Sequence, residues 1–159
     1  MPIIYPKIDP ECACTNREHT RDKYSRIVSL NALQPDSKYT YIILEGTKSK
    51  PGEVAYSLLI SEETGNYAEC SYQIGGHAHL AKNKKDASIT RQVYAAGEIY
   101  GQLQRITNKS GTYYPSSSTL PVVEYVFDKK LEKLGKFSLH SLGTEIHFDD
   151  EWSFTTEQA

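Results

Sequence analysis

Residues Tyr94 to Pro115 read YAAGEIYGQLQRITNKSGTYYP. From Val93 to Thr107 apolar and polar residues half-alternate, which predicts one long strand, or two with a bend at Gly97 or Gly101, since interior glycines mark bulges and close backbone approaches. Asn108-Lys109-Ser110-Gly111 follows as a turn, with Gly111 placed where φ can be positive. Tyr113, Tyr114 and Pro115 then lead out of the turn.

Strand signals dominate upstream. Tyr24 to Leu30 is short and mixed, whereas Lys38 to Glu45 (KYTYIILE) is rich in β-branched and aromatic residues and stops at Gly46. Glu53 to Ser61 and Asn66 to Ile74 flank Thr64-Gly65-Asn66 as the clearest hairpin. Downstream, Leu120, Val123, Phe127, Leu131 and Leu134 recur at helical spacing. Ser116-Ser117-Ser118 offer N-caps, Pro121 suits a first turn, Lys129, Lys130 and Lys133 suit the C-terminal dipole, and Gly135 supplies the stop. Phe137 to Leu142 and Glu145 to Phe148 read as closing strands. About seven strands to one helix is the count. The fold class is therefore α+β, a mainly antiparallel β-sheet with one core-packed C-terminal helix.

The 159 residues suit a single domain over 1–159. Residues 1–24 lack an apolar period and read as an irregular arm; 149–159 read as an acidic tail that frays, with Trp152 and Phe154 as possible anchors. A net charge of −2 gives no field toward nucleic acid or an anionic membrane. No apolar run approaches the ~20 residues of a membrane span. The first residues lack the basic-then-apolar order of a secretory signal. The expected place is the cytoplasm, or a target cell reached by a route that reads no signal peptide. Cys12, Cys14 and Cys70 form an odd set, as reduced thiols would.

Candidate chemistry clusters around a short list. His77 and His79 follow the Gly75-Gly76 pair and lie on one face of an extended segment. They can serve as acid and base, but a zinc site needs further ligands. The alternative is structural, with one imidazole satisfied in a turn and the other solvated. No metal is expected, either there or at Cys12-Ala13-Cys14 with His19. If Val93, Ala95, Gly97 and Ile99 face the core, Glu98 lies opposite with Tyr94 and Tyr100, as a cleft floor or as a solvated face. Arg91 and Arg105 bracket the strand and can hold an anion. Neither phosphate-loop nor dinucleotide fingerprint is present, so no cofactor is expected. Ser110 lacks the nucleophile-elbow context and reads as a turn residue bonding local backbone.

Three blocks carry a family resemblance: Gly76-His77 through Leu80-Ala81, Ala96 to Ile99, and Ile106 to Pro115. Their order resembles a small β-rich module of bacterial effectors and polymorphic toxins, and with the following helix it covers roughly residues 75–135. The family pattern has Ser-Gly-His-Tyr where this chain has Ser110-Gly111-Thr112-Tyr113. The resemblance implies effector or conflict biology, with Gly111, Tyr113 and Pro115 as turn, packing residue and helix lead-in.

Two functions follow as expectations. One is a binding module that engages a protein or a small anionic ligand, rather than nucleic acid, through a tyrosine-rich sheet face; the 12 tyrosines supply rigid amphipathic rings. The other is an enzymatic domain whose His77, His79, Glu98 and Tyr113 converge in one pocket, with Arg91 or Arg105, Tyr94 and Tyr100 around the ligand.

Overall fold

The fold comes from a computed structural model that describes residues 3–6, 25–48, 50–52, 55–63, 77–81 and 91–150. The expected strand Asn66 to Ile74 and its hairpin, most of the N-terminal arm, and residues 151–159 lie outside the described residues.

Among the described residues six strands form one sheet: β1 (Ser25–Val28), β2 (Lys38–Glu45), β3 (Tyr56–Glu63), β4 (Val93–Tyr100), β5 (Arg105–Thr107) and β6 (Glu145–His147), in the order β1-β3-β2-β4-β5-β6. One helical turn, α1 (His77–Leu80), precedes β4, and one long helix, α2 (Leu120–Lys133), follows a 3₁₀ turn at Ser117–Thr119. The architecture is α+β and mainly antiparallel. Among the described residues its one parallel pair is β5 with β6. Parallel neighbours need a crossover, and the chain supplies α2 for it.

β2 sits at the centre and is buried on both sides from Tyr41 to Leu44. Tyr39, Tyr41 and Ile43 point to the α2 side, where they meet Val123, Phe127 and Leu131. Ile42 and Leu44 point the other way and join Leu80, Ala81, Ala96 and Tyr113. Two cores on two faces explain why this strand reads as a near-continuous apolar run. Ile4 bridges Val93 and packs on the second core, so the described start of the arm runs antiparallel beside the start of β4.

β4 alternates as expected from Ala95 onward but not before it. Ile43 pairs with Ala95 and Leu44 with Val93, so Tyr94 is an extra residue in a β-bulge. Tyr94 therefore joins Ala95 on the α2 side, and Val93 joins Ala96 on the other. The bend falls at Gly101, where φ is +63°, with Leu103 at +62°.

α2 follows its sequence signals closely. Ser116 accepts from the Ser118 amide and Pro121 lies in the first turn. The buried stripe is Val122, Val123, Val126, Phe127 and Leu131, whereas Leu134 is exposed. Gly135, at φ +79°, ends the helix; its amide reaches the Glu132 carbonyl and the Lys136 amide reaches that of Leu131, the paired bonds of a Schellman stop.

Three expectations are corrected. Phe137 to Leu142 is not a strand but a series of turns: the Leu139 amide donates to Asp128 Oδ1, the Ser138 and Ser141 amides to each other's hydroxyls and the Leu142 amide to the Ser138 carbonyl, so four of its donors are spent on local and helix partners rather than a ladder. Gly111 does not have a positive φ; Tyr114 does, at +42°. Asp149 and Asp150, expected to fray, are held. The Asp149 backbone bonds both ends of the buried Asn108 amide, and Asp150 Oδ1 accepts from Ser117 N and Oγ at 2.8 and 2.9 Å.

Candidate functional site

The sheet face away from α2 carries two polar rows set by strand register. Lys38 pairs with Tyr100, Tyr100 with Arg105, and Arg105 with Glu145. In the next row Thr40 pairs with Glu98, and Thr107 with His147. Thr107 Oγ1 accepts from the Glu98 amide at 3.3 Å, which joins the two halves of that row.

Within these rows the side chains form a connected network. Tyr100 donates its hydroxyl to Glu98 Oε1 at 2.8 Å, and Lys38 Nζ lies 3.3 Å from Glu98 Oε2. The Arg105 guanidinium lies over the Tyr100 ring, 5.5 Å from its centroid, within cation–π range. Arg105 Nε stands 3.7 Å from Glu145 Oε1 and Nη2 stands 3.3 Å from His147 Nδ1. A guanidinium only donates, so His147 Nδ1 is the acceptor in that contact. Burial, then the Glu98 hydrogen bond and charge, raise the Tyr100 pKa, while Arg105 opposes the rise. Beside Lys38 a depression of about 300 Å³ is lined by Ser37, Thr40, Ser61 and Glu62.

His77 opens α1 and is buried, with Nε2 donating to the Gly97 carbonyl at 2.9 Å. Burial lowers its pKa; the Gly97 carbonyl, the Glu98 charge and a Tyr41 backbone contact oppose that fall. The imidazole is thus neutral at pH 7 and pins the helical turn to β4. Tyr113 is buried in the core of the same face, and burial pushes its pKa up to about 12.

The expected site residues therefore divide. His77 and Glu98 share one face and interact electrostatically, with Tyr100 and Arg105 beside Glu98. Tyr113 shares that face as a core residue. Arg91 lies at the opposite end of β4 from Arg105, its amide bonded to the Ala81 carbonyl, so the two arginines form no common clamp. Tyr94 is on the α2 side, its ring 5.0 Å from that of Tyr56, because of the bulge. The side chain of His79 lies outside the described residues. Gly97 has a strict role: a Cβ there would stand 1.9 Å from the Thr107 carbonyl oxygen and 2.7 Å from the Tyr41 hydroxyl. Pro115 is buried, and its carbonyl accepts from Asn108 Nδ2.

Among the described residues the tyrosines do not make one exposed sheet face. Tyr39 and Tyr41 are buried under α2, Tyr56, Tyr94 and Tyr125 form an aromatic group on the α2 side, and Tyr100 stands on the other face with Arg105. Lys38, Thr107, Glu145 and His147 escaped the sequence reading, since only cross-strand register brings them to Glu98 and Arg105. Among the described residues no three His, Cys, Asp or Glu side chains gather as a metal site, and no helix is long and apolar enough to cross a membrane.

Fold and site together define an α+β sheet protein with a charged, tyrosine-bearing face opposite its helix. No family model, curated protein or solved structure matches the chain.

Proposed function

We propose that this chain is a binding module of the bacterial effector or conflict-system kind, and that it takes a small anionic ligand on the face opposite α2. The observation that carries this reading is the Arg105 guanidinium over the Tyr100 ring, with Lys38 beside Tyr100 in the same row and His147 touching Arg105 from the next row. A planar donor fork over an aromatic ring suits a carboxylate or phosphate. Lys38 brings a second cation to the edge of the adjoining depression. Such a module would act in the cytoplasm or in a target cell, and its ligand would not be nucleic acid.

Isothermal titration with inorganic phosphate and with citrate tests the reading. The protein should bind one of them, Arg105→Gln should abolish the heat, and Lys38→Gln should weaken it. Absence of binding by the unaltered protein to either probe would overturn it.

One observation favours a second, enzymatic reading on His77, His79 and Glu98: the Glu98 charge reaches His77. Against it, the His77 Nε2 proton is held by Gly97, and both Glu98 oxygens are engaged. Turnover of a nucleotide substrate that is lost in a stably folded Glu98→Gln variant would establish that reading instead.

A further inference from the structure

The segment after α2 carries the most exposed large apolar side chain among the described residues. Phe137 is 84 % exposed, and Leu134 and Leu142 nearby are 40 % and 42 % exposed. This is not loose chain. Leu139, two residues on, is 1 % exposed and anchors the turn in the main core, while its amide is fixed by Asp128 at 2.9 Å. The Lys136 amide is tied to Leu131, the Thr144 amide to Leu139, and Ser138 and Ser141 bond each other's backbone and hydroxyl groups. Phe137 is thus held outward by the same turn that holds Leu139 inward.

The surrounding charge is lopsided. Residues 128–142 contain four lysines, at 129, 130, 133 and 136, against two carboxylates, Asp128 and Glu132. Asp128 is already committed to the Leu139 amide. The helix dipole accounts for Lys130 and Lys133 in the last turn. It does not account for Lys136 beyond the stop, nor for an aromatic ring left in water.

We infer that residues 134–142 are a docking tip for an anionic bilayer surface: Phe137, with Leu134 and Leu142, enters the interfacial zone while Lys133 and Lys136 meet lipid phosphates. A projecting ring on a fixed turn needs no complementary pocket to enter a bilayer interface, and lysine stems let the charge stay at headgroup level. Each juxtamembrane lysine adds attraction to an anionic leaflet, and the attraction weakens with salt. The tip shares no residue with the anion-binding face, so the two proposals stand or fall separately.

Vesicle co-sedimentation tests it, using phosphatidylcholine vesicles with and without phosphatidylserine. The protein should bind only the phosphatidylserine vesicles, and less so in high salt. Phe137→Ala should weaken binding by about tenfold, and Lys133→Glu/Lys136→Glu should abolish it; both sites are exposed, and circular dichroism checks that the fold survives. Phe137→Trp should add fluorescence that brominated lipid quenches beyond any signal from Trp152. Three results would overturn the inference: no binding of the unaltered protein, binding that Phe137→Ala leaves intact, or a Phe137→Ala variant that loses self-association or a protein partner with vesicle binding unchanged.

Discussion

The Tyr41 hydroxyl donates a 2.7 Å hydrogen bond to the Thr107 carbonyl, passing over the bare backbone of Gly97. On the far side of the sheet the Thr107 hydroxyl takes the Glu98 amide. The β4–β5 ladder, whose paired residues are Ile99 with Ile106 and Tyr100 with Arg105, is thus extended by side chains on both faces. Gly97→Ala should therefore cost at least about 3 kcal/mol, since the new Cβ meets backbone on one side and a packed ring on the other. Tyr41→Phe, which strands a buried carbonyl, should cost about 1–3 kcal/mol. Gly111→Ala, with open space around the Cβ and no positive φ, should stay within about 0.5 kcal/mol of the parent or gain slightly. Urea unfolding of the three variants would rank them.

His77 makes stability depend on pH. Its folded pKa lies below the ordinary 6.5, with burial as the main cause. The unfolded chain thus takes up a proton at a higher pH than the native protein does. The stability is present above the unfolded value and is lost as pH falls through the folded one. Urea midpoints should drop between pH 7.5 and 5.5, by roughly the linkage expected of a single group. In His77→Gln, which can still donate to the Gly97 carbonyl, that drop should flatten. An unchanged slope would show that His77 does not carry it.

Asn108 is fully buried and bonds Pro115 O, Asp149 O and Asp149 N, so one amide ties the turn to the chain after β6. Asn108→Asp replaces a donor with an acceptor facing two carbonyls and should cost about 2–4 kcal/mol. Amide exchange at Asp149 should accelerate in the same variant.

Asp150 caps the helix entrance from outside the helix. The Ser117 amide and hydroxyl lower its pKa, so its contribution holds above the ordinary carboxylate value of 3.8 and disappears as pH falls through the depressed one. Asp150→Ala should speed amide exchange over Ser117 to Leu120 at neutral pH. At a pH low enough to protonate the carboxyl, variant and parent should converge.

Sequence exposed the parts of this fold whose causes are local. Lys38 to Glu45 announces itself by β-branched and aromatic content and ends where expected. α2 is marked by periodicity, Pro121, the C-terminal lysines and Gly135. The parts that stayed hidden have distant causes. Phe137 to Leu142 looks like a strand until Asp128, a helix residue, takes the Leu139 amide. Tyr94 looks like a partner of Tyr100 until an unpaired residue in the register turns it to the other face. Lys38 and His147 meet the Glu98–Arg105 network only because strands far apart in sequence are neighbours in the sheet. Of the expected site, Glu98 with Tyr100 was readable from period two, whereas the pinning of His77 by Gly97 was not.

The parallel β5–β6 pair has a consequence for how the chain is made. β6, the Asp149 backbone held by Asn108, and the Asp150 cap all fall within residues 145–150. In order of synthesis they come after every element they close. A chain ending at residue 144 would therefore present β5 as an open edge, with Asn108 keeping its Pro115 bond and losing both bonds to Asp149.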